Sequence, residues 1–315
     1  MPGYLENLTL RLAQGVSQLP EELRQRHAAY LLAAQRDDGG FAGREGASDL
    51  YYTSFALRSM ALLGVLDGEP AARAAAFLKS RLAGQTPIID FVSLLYGAAL
   101  LDSAAGIDVF REAPAGWQDN LAALFEQFRR PDGGYAKTEV GQSSSTYHTF
   151  LIVLALQLID RMPPEPERLV AFVRSRQRED GGFVEIGPMR KSGTNPTAAA
   201  AGLLNILNAF DDETRDSVCG FLLDVQNDEG GFTANTRIPL ADVLSTFTAA
   251  LTLADLGALA EIDLPAASRY VQSMEQPDGG FRGGAWDEGV DVEYAFYGLG
   301  ALALLETAPA PPDDR

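Results

Sequence analysis

The 315-residue chain carries 43 acidic against 25 basic side chains, a formal charge of −18 that repels phosphate backbones at long range and excludes a nucleic-acid partner. With 46% hydrophobic residues and a mean hydropathy of −0.04 it can bury a substantial core, and no apolar run reaches the roughly 18 residues of a membrane span without polar interruption. One cysteine, Cys219, excludes an intrachain disulfide and any metal site built from several thiolates.

The first residues, Met1 to Leu12, mix Glu6 and Arg11 with apolar side chains and lack the basic-then-apolar layout of a secretory signal, so a cytoplasmic location is expected. Helical patterns follow over Leu5 to Gln14 and Glu21 to Gln35, and the second runs into Asp38-Gly-Gly-Phe41. That phrase returns, with small variations, at Asp132 to Tyr135, Asp180 to Phe183, Glu229 to Phe232 and Asp278 to Phe281. The gaps between its acidic residues are 94, 48, 49 and 49, so the first gap holds two periods with one copy worn away, near Ala83 to Gln85. Six units of about 48 residues fill the chain, the mark of a repeat architecture in which each unit buries its apolar face against its neighbours.

Each phrase stands between two helices of different kind. The preceding one is amphipathic, as Arg168 to Gln177 shows, with Leu169, Val170, Phe172 and Val173 on one stripe and Arg168, Arg174 and Arg176 on the other. Glu69 to Leu82 and Asp212 to Gln226 are its counterparts. The following helix is apolar almost all round: Ile88 to Leu101, Phe150 to Ile159, Ala198 to Leu207, Phe247 to Leu256 and Tyr294 to Leu305. Such a helix is covered on one side by an outer layer and faces a shielded interior on the other. The Gly-Gly pair supplies positive φ where the outer helix ends, the acidic side chain caps nearby amides, and the aromatic ring fills the gap between units. Inner helices are expected to start at Asp49, at Ser143 to Ser145 and at Asn195-Pro196. The last inner helix, Val292 to Glu306, lets the sixth unit close against the first. The expectation is one domain over 1–306, with Thr307 to Arg315 as a loose tail rich in Pro, Ala and Asp.

The runs from Gln35 to Phe41, Gln177 to Phe183 and Gln226 to Phe232 resemble the repeat of protein prenyltransferase β subunits and are similar to the Gln-Trp repeats of triterpene (squalene) cyclases. The resemblance covers nearly the whole chain and implies an all-α fold, an α/α toroid with six inner and six outer helices. It further implies a central apolar funnel that holds a polyisoprenoid, either as a prenyl diphosphate or as the substrate of a cyclase. In the prenyltransferases a zinc ion held by Asp, Cys and His activates the acceptor thiol. On this chain the Asp falls at Asp242, but the Cys position is Leu244 and the His position Tyr294, so no metal ligand set and no zinc-thiolate chemistry are expected. Mg²⁺ enters only as the companion of a bound diphosphate. Whether the family's partner subunit exists stays open.

Four residues are candidates for chemistry: Asp291, Glu293, Asp242 and His148. Asp291 and Glu293 stand where a class II terpene cyclase has the first and middle residues of Asp-x-Asp-Asp, with Tyr294 in place of the last. Residues two apart on a helix point to nearly opposite sides, so at most one of the pair aims inward. A carboxyl in an apolar cavity stays protonated and can act as an acid; a helix first turn favours acidic residues for its dipole alone. His148, at the start of an inner helix, reads either as a proton carrier at the funnel mouth or as a hydrogen-bonded helix-start histidine. For substrate, Arg190 and Lys191 are candidates to meet an anion at the rim where the inner helices begin. Tyr51, Tyr52, Phe55, Tyr96, Tyr147, Phe247, Tyr294 and Tyr297 are candidates to line the funnel, where aromatic faces suit a polyene or an allylic cation. A non-catalytic binding or scaffold ring, its funnel filled by its own side chains, is the remaining alternative.

Overall fold

The computed structural model describes residues 3–82, 88–140 and 143–309, so the worn repeat copy expected near Ala83 to Gln85 lies outside the described residues, as does most of the expected tail. Helices α1 (Tyr4–Gln18), α2 (Glu21–Ala34), α3 (Leu50–Leu62), α4 (Gly68–Arg81), α5 (Ile88–Ala105), α6 (Trp117–Glu126) and α7 (Thr146–Leu158) fill the first half. Helices α8 (Pro166–Ser175), α9 (Thr194–Ile206), α10 (Asp212–Asp224), α11 (Val243–Asp255), α12 (Leu264–Met274) and α13 (Val292–Glu306) fill the second. The odd-numbered helices from α3 onward stand side by side, each against the next, and α13 returns to α3. The even-numbered helices cover them from outside. This is the all-α toroid, with six inner and six outer helices.

The repeated phrase builds a hairpin at the foot of each of five inner helices, α3, α7, α9, α11 and α13. Its aromatic residue pairs antiparallel with the N-cap residue of that helix: Phe41 with Asp49, Tyr135 with Ser145, Phe183 with Gly193, Phe232 with Asp242 and Phe281 with Asp291. In four units the same aromatic amide also donates to a threonine hydroxyl one turn into the helix, Thr53, Thr149, Thr197 or Thr246. The acidic residue ties the hairpin across. Asp38 accepts from the amide of Gly40 and the hydroxyl of Ser48, and Asp180 from Ser192. Where alanine replaces that serine at Ala241, the longer Glu229 accepts from its backbone amide instead. In the sixth unit, where Val290 takes the serine's place, Asp278 is kept.

The glycines join one unit to the next. At Gly181, φ is +86° and an added Cβ would lie 2.3 Å from the carbonyl oxygen of Ser217 on α10. At Gly279 the neighbour is Arg26 of α2, so the sixth unit docks on the first by the contact used between the others. Asp49 and Ser145 cap their helices through the amides of Tyr52 and His148, as expected. α9 differs: it begins at Thr194 after an uncapping Gly193, one residue before the expected start at Asn195-Pro196.

Two features depart from the sequence-based picture. α1 belongs to neither layer but crosses the end of the ring where the inner helices finish. The amide of Tyr4 donates to Gln157 at the end of α7, its hydroxyl and Arg11 reach Asp255 at the end of α11, and Gly15 lies against Ala303 of α13. α5 corrects the expectation that no apolar run is long enough for a membrane: its 18 residues have a mean hydropathy of 1.6 and satisfy that test by length and composition. The two aspartates within it, Asp90 and Asp102, do not break the run, and it serves here as a stave of the inner ring between α3 and α7.

Candidate functional site

All six inner helices contribute to a central cavity of about 400 Å³, and α1 floors it with Tyr4, Leu5 and Leu8. The walls are unequal. α9 and α11 present mainly small and apolar groups, among them Pro196, Ala199, Leu244 and Leu251, with Asn195, Thr248 and Thr252 between them; α13, α3, α5 and α7 carry most of the rings, and the charged groups are Glu293, Arg58 and Glu185. Phe55 stands 5.2 Å from the ring of Tyr297, and Phe247 5.4 Å from that of Phe296. These rings touch one another around an open space instead of filling it.

Of the residues singled out in the sequence, Glu293, Tyr51, Phe55, Tyr96, Tyr147, Phe247 and Tyr297 line the cavity. The spacing argument for Asp291 and Glu293 resolves in favour of the second. Asp291 caps α13, accepting from the amides of Glu293 and Tyr294, and its other oxygen takes the Nε of Arg44 at 3.1 Å. It is buried and fully engaged in structure. Glu293 turns inward and accepts the hydroxyl of Tyr51 at 2.6 Å. Burial lifts its carboxyl above the ordinary 4.5; the hydrogen bond from Tyr51 opposes that rise without cancelling it.

The other candidates lie outside the lining. Asp242 caps α11, one oxygen on the amide and the other on the hydroxyl of Ser245, and burial raises its carboxyl above the ordinary range. Its neighbours at the positions of the family's other zinc ligands are Leu244, which offers no donor atom, and Tyr294, whose ring stacks under Arg44. These residues do not fit a zinc ion, and no group of three His, Cys, Asp or Glu occurs together among the described residues. His148 is tied through Nδ1 to Ser145, which also donates to Glu185; burial depresses its pKa. The Tyr52 ring lies against Gly43 and caps nothing in the cavity. Arg190 and Lys191 are exposed on the hairpin before α9. Around the mouth the same hairpins expose Met189, Leu240 and Trp286.

Two contributors had gone unread. One is α1, whose position depends on contacts with helix ends more than 100 residues away. The other is Arg58, which enters the cavity from α3 and stacks on Phe55 and Tyr96, its guanidinium carbon 4.5 Å from each ring centre. The signal was present: Arg58 is the one lysine or arginine in the six inner helices.

A sequence profile for the prenyltransferase alpha-alpha toroid domain matches residues 7–87 and 94–310. Protein farnesyltransferase subunit beta of Pisum sativum is 28% identical over 209 residues, 63% of this chain. The match takes in 47% of that relative, so the chain spans about half of its length. Among solved structures, Candida albicans protein geranylgeranyltransferase-I complexed with GGPP aligns over 90% of this chain and 91% of its own, with a TM-score of 0.74 and 16% identity. The type II terpene cyclase MstE from Scytonema aligns over 96% and 99%, with a TM-score of 0.60 and 16% identity. The GH76A alpha-1,6-mannanase from Salegentibacter, at 0.61 and 13%, covers 90% and 98%. At these identities the structural likeness speaks for the fold alone.

Proposed function

The chain belongs to the prenyltransferase alpha-alpha toroid family, and from that premise we propose that it holds a polyisoprenoid chain in the central funnel without zinc-thiolate chemistry. The observation that carries this is the cavity itself. It is apolar along α9 and α11, ringed by aromatic faces, and closed at one end by α1, the form that takes a flexible hydrocarbon and excludes water from it. GGPP bound to the Candida transferase supports the choice of ligand class. A ring filled by its own side chains is disfavoured by the same open space. The test is native mass spectrometry of the purified protein with added geranylgeraniol or geranylgeranyl diphosphate, with metal analysis on the same sample. A one-to-one adduct without zinc is expected; stoichiometric zinc, or no adduct with either compound, overturns the proposal.

Glu293 favours a second reading, a class II cyclase. A carboxyl whose pKa burial raises, held by Tyr51 in a cavity that Phe247 and Tyr297 also line, is equipped to protonate an alkene of a bound polyene. The chemistry asks for one proton transferred from Oε to carbon, with the positive charge left on the neighbouring carbon near aromatic faces. Product formation from squalene and prenyl diphosphates should fall at least about a hundredfold in Glu293→Gln. Unchanged turnover in that variant sinks the cyclase reading and leaves the binding one standing.

A further inference from the structure

Arg58 is placed against electrostatic habit. It projects from α3 seven residues after Tyr51, about 10 Å further along the helix axis. Three aromatic faces surround it, Phe55 and Tyr96 at 4.5 Å and Phe296 at 5.6 Å. Among the described residues no hydrogen-bond or ion-pair partner meets any of its nitrogens, and its Nε is buried without an acceptor.

Two other ring-stacked arginines show what is missing. Arg129 lies over Tyr135 and also donates to the carbonyl of Pro164. Arg176 lies over Phe172 and donates to the Asp132 carboxylate and the Ser144 hydroxyl. Their Nε atoms are unpaired too, but their terminal nitrogens hold oxygen. Arg58 has the stacking without the oxygen, and its free donors face the cavity. A half-buried guanidinium in that condition gains from any acceptor that reaches it.

We propose that Arg58 receives the anionic end of the funnel's ligand, and that this ligand is a long apolar monocarboxylate. The inference rests on the funnel holding an apolar chain and adds the identity of its polar group. One carboxylate answers one guanidinium, two oxygens to two donors, and leaves the rest of the molecule for the apolar wall of α9 and α11. A diphosphate would bring two or more charges beside Glu293 with one cation to balance them. The position of Arg58 also bears on carbocation chemistry. The faces of Phe55, Tyr96 and Phe296 already serve a cation, so a second positive charge on the α3 wall is repelled there.

The test compares farnesoic acid, farnesol and farnesyl diphosphate by isothermal titration at pH 7.5, on the unmodified protein and on Arg58→Met. The acid is expected to bind the unmodified protein about tenfold or more tightly than the alcohol, the return for a charge-assisted hydrogen bond. In Arg58→Met that preference should vanish. Equal binding of acid and alcohol to the unmodified protein overturns the role of Arg58 and leaves the funnel's function intact. Tighter binding of the diphosphate than of the acid overturns the monocarboxylate. No binding of any of the three overturns both the inference and the function on which it rests. The comparison on the unmodified protein stands even where Arg58→Met does not fold.

Discussion

At the scale of single residues, the site is a contest between burial and partnership. Glu293 and Asp291 are two positions apart and chemically alike, yet one faces the cavity and the other is spent on the helix cap and Arg44. Burial drives the Glu293 carboxyl upward and the Tyr51 hydroxyl, which favours the charged form, restrains it. Removing the hydroxyl in Tyr51→Phe should therefore move the Glu293 titration further up, as followed by carboxyl carbon NMR shifts; an unchanged or lower midpoint would refute the assignment. The sequence showed that only one of the pair could face inward, since that follows from helix periodicity. Which one it is depends on Arg44, an arginine 247 residues away, and no local pattern carries that.

At the scale of the elements, the repeated phrase is a joint, and its first glycine carries more than a turn glycine outside it, such as Gly64 after α3. An alanine at Gly64, where φ is +70° and nothing lies within 4 Å, meets only the strain of a left-handed backbone, about 1 kcal/mol. At Gly181 the same strain is joined by a clash with the Ser217 carbonyl, so Gly181→Ala should lose about 3 kcal/mol or more. Denaturant midpoints of the two variants settle the difference, and equal losses would show that the joint yields. The joint was legible because turn chemistry is local: positive φ, a capping acid and an aromatic plug all fall within four residues. The role of α1 was not. Its pattern says amphipathic helix, and nothing in 15 residues says that its apolar face lies across the far end of a ring.

At the scale of the whole molecule, the ring is one chain whose ends must find each other, and the seam is fastened at three heights. On the outside His27, fully buried and stacked on Phe281, accepts the Gly280 amide at Nδ1 and meets Glu275 through Nε2, beside the Arg26–Glu275 pair. At the mouth Arg44 grips Asp287 with both terminal nitrogens. Inside, Tyr51 holds Glu293. Burial depresses the His27 pKa below its ordinary 6.5; Glu275 pulls it back up and Arg26 pushes it further down. The unfolded chain therefore takes up a proton first as pH falls, so stability present above 6.5 is lost between 6.5 and the lower folded-state value, with a slope of at most about 1.4 kcal/mol per pH unit from this group. Melting curves from pH 7.5 to 5.5 should flatten in His27→Gln relative to the unmodified protein, and parallel curves would clear His27 of the effect. The floor of the funnel has a consequence in time. Gly15 rests on Ala303, so α1 has its seat in a helix that the ribosome makes after the rest of the ring. At roughly 5 to 20 residues per second, that seat is made about 15 to 60 s later. For that interval the face of Leu5, Leu8 and Leu12 waits in the nascent chain as a chaperone would meet it, and the cavity exists only once α13 has been made and α1 has closed over it.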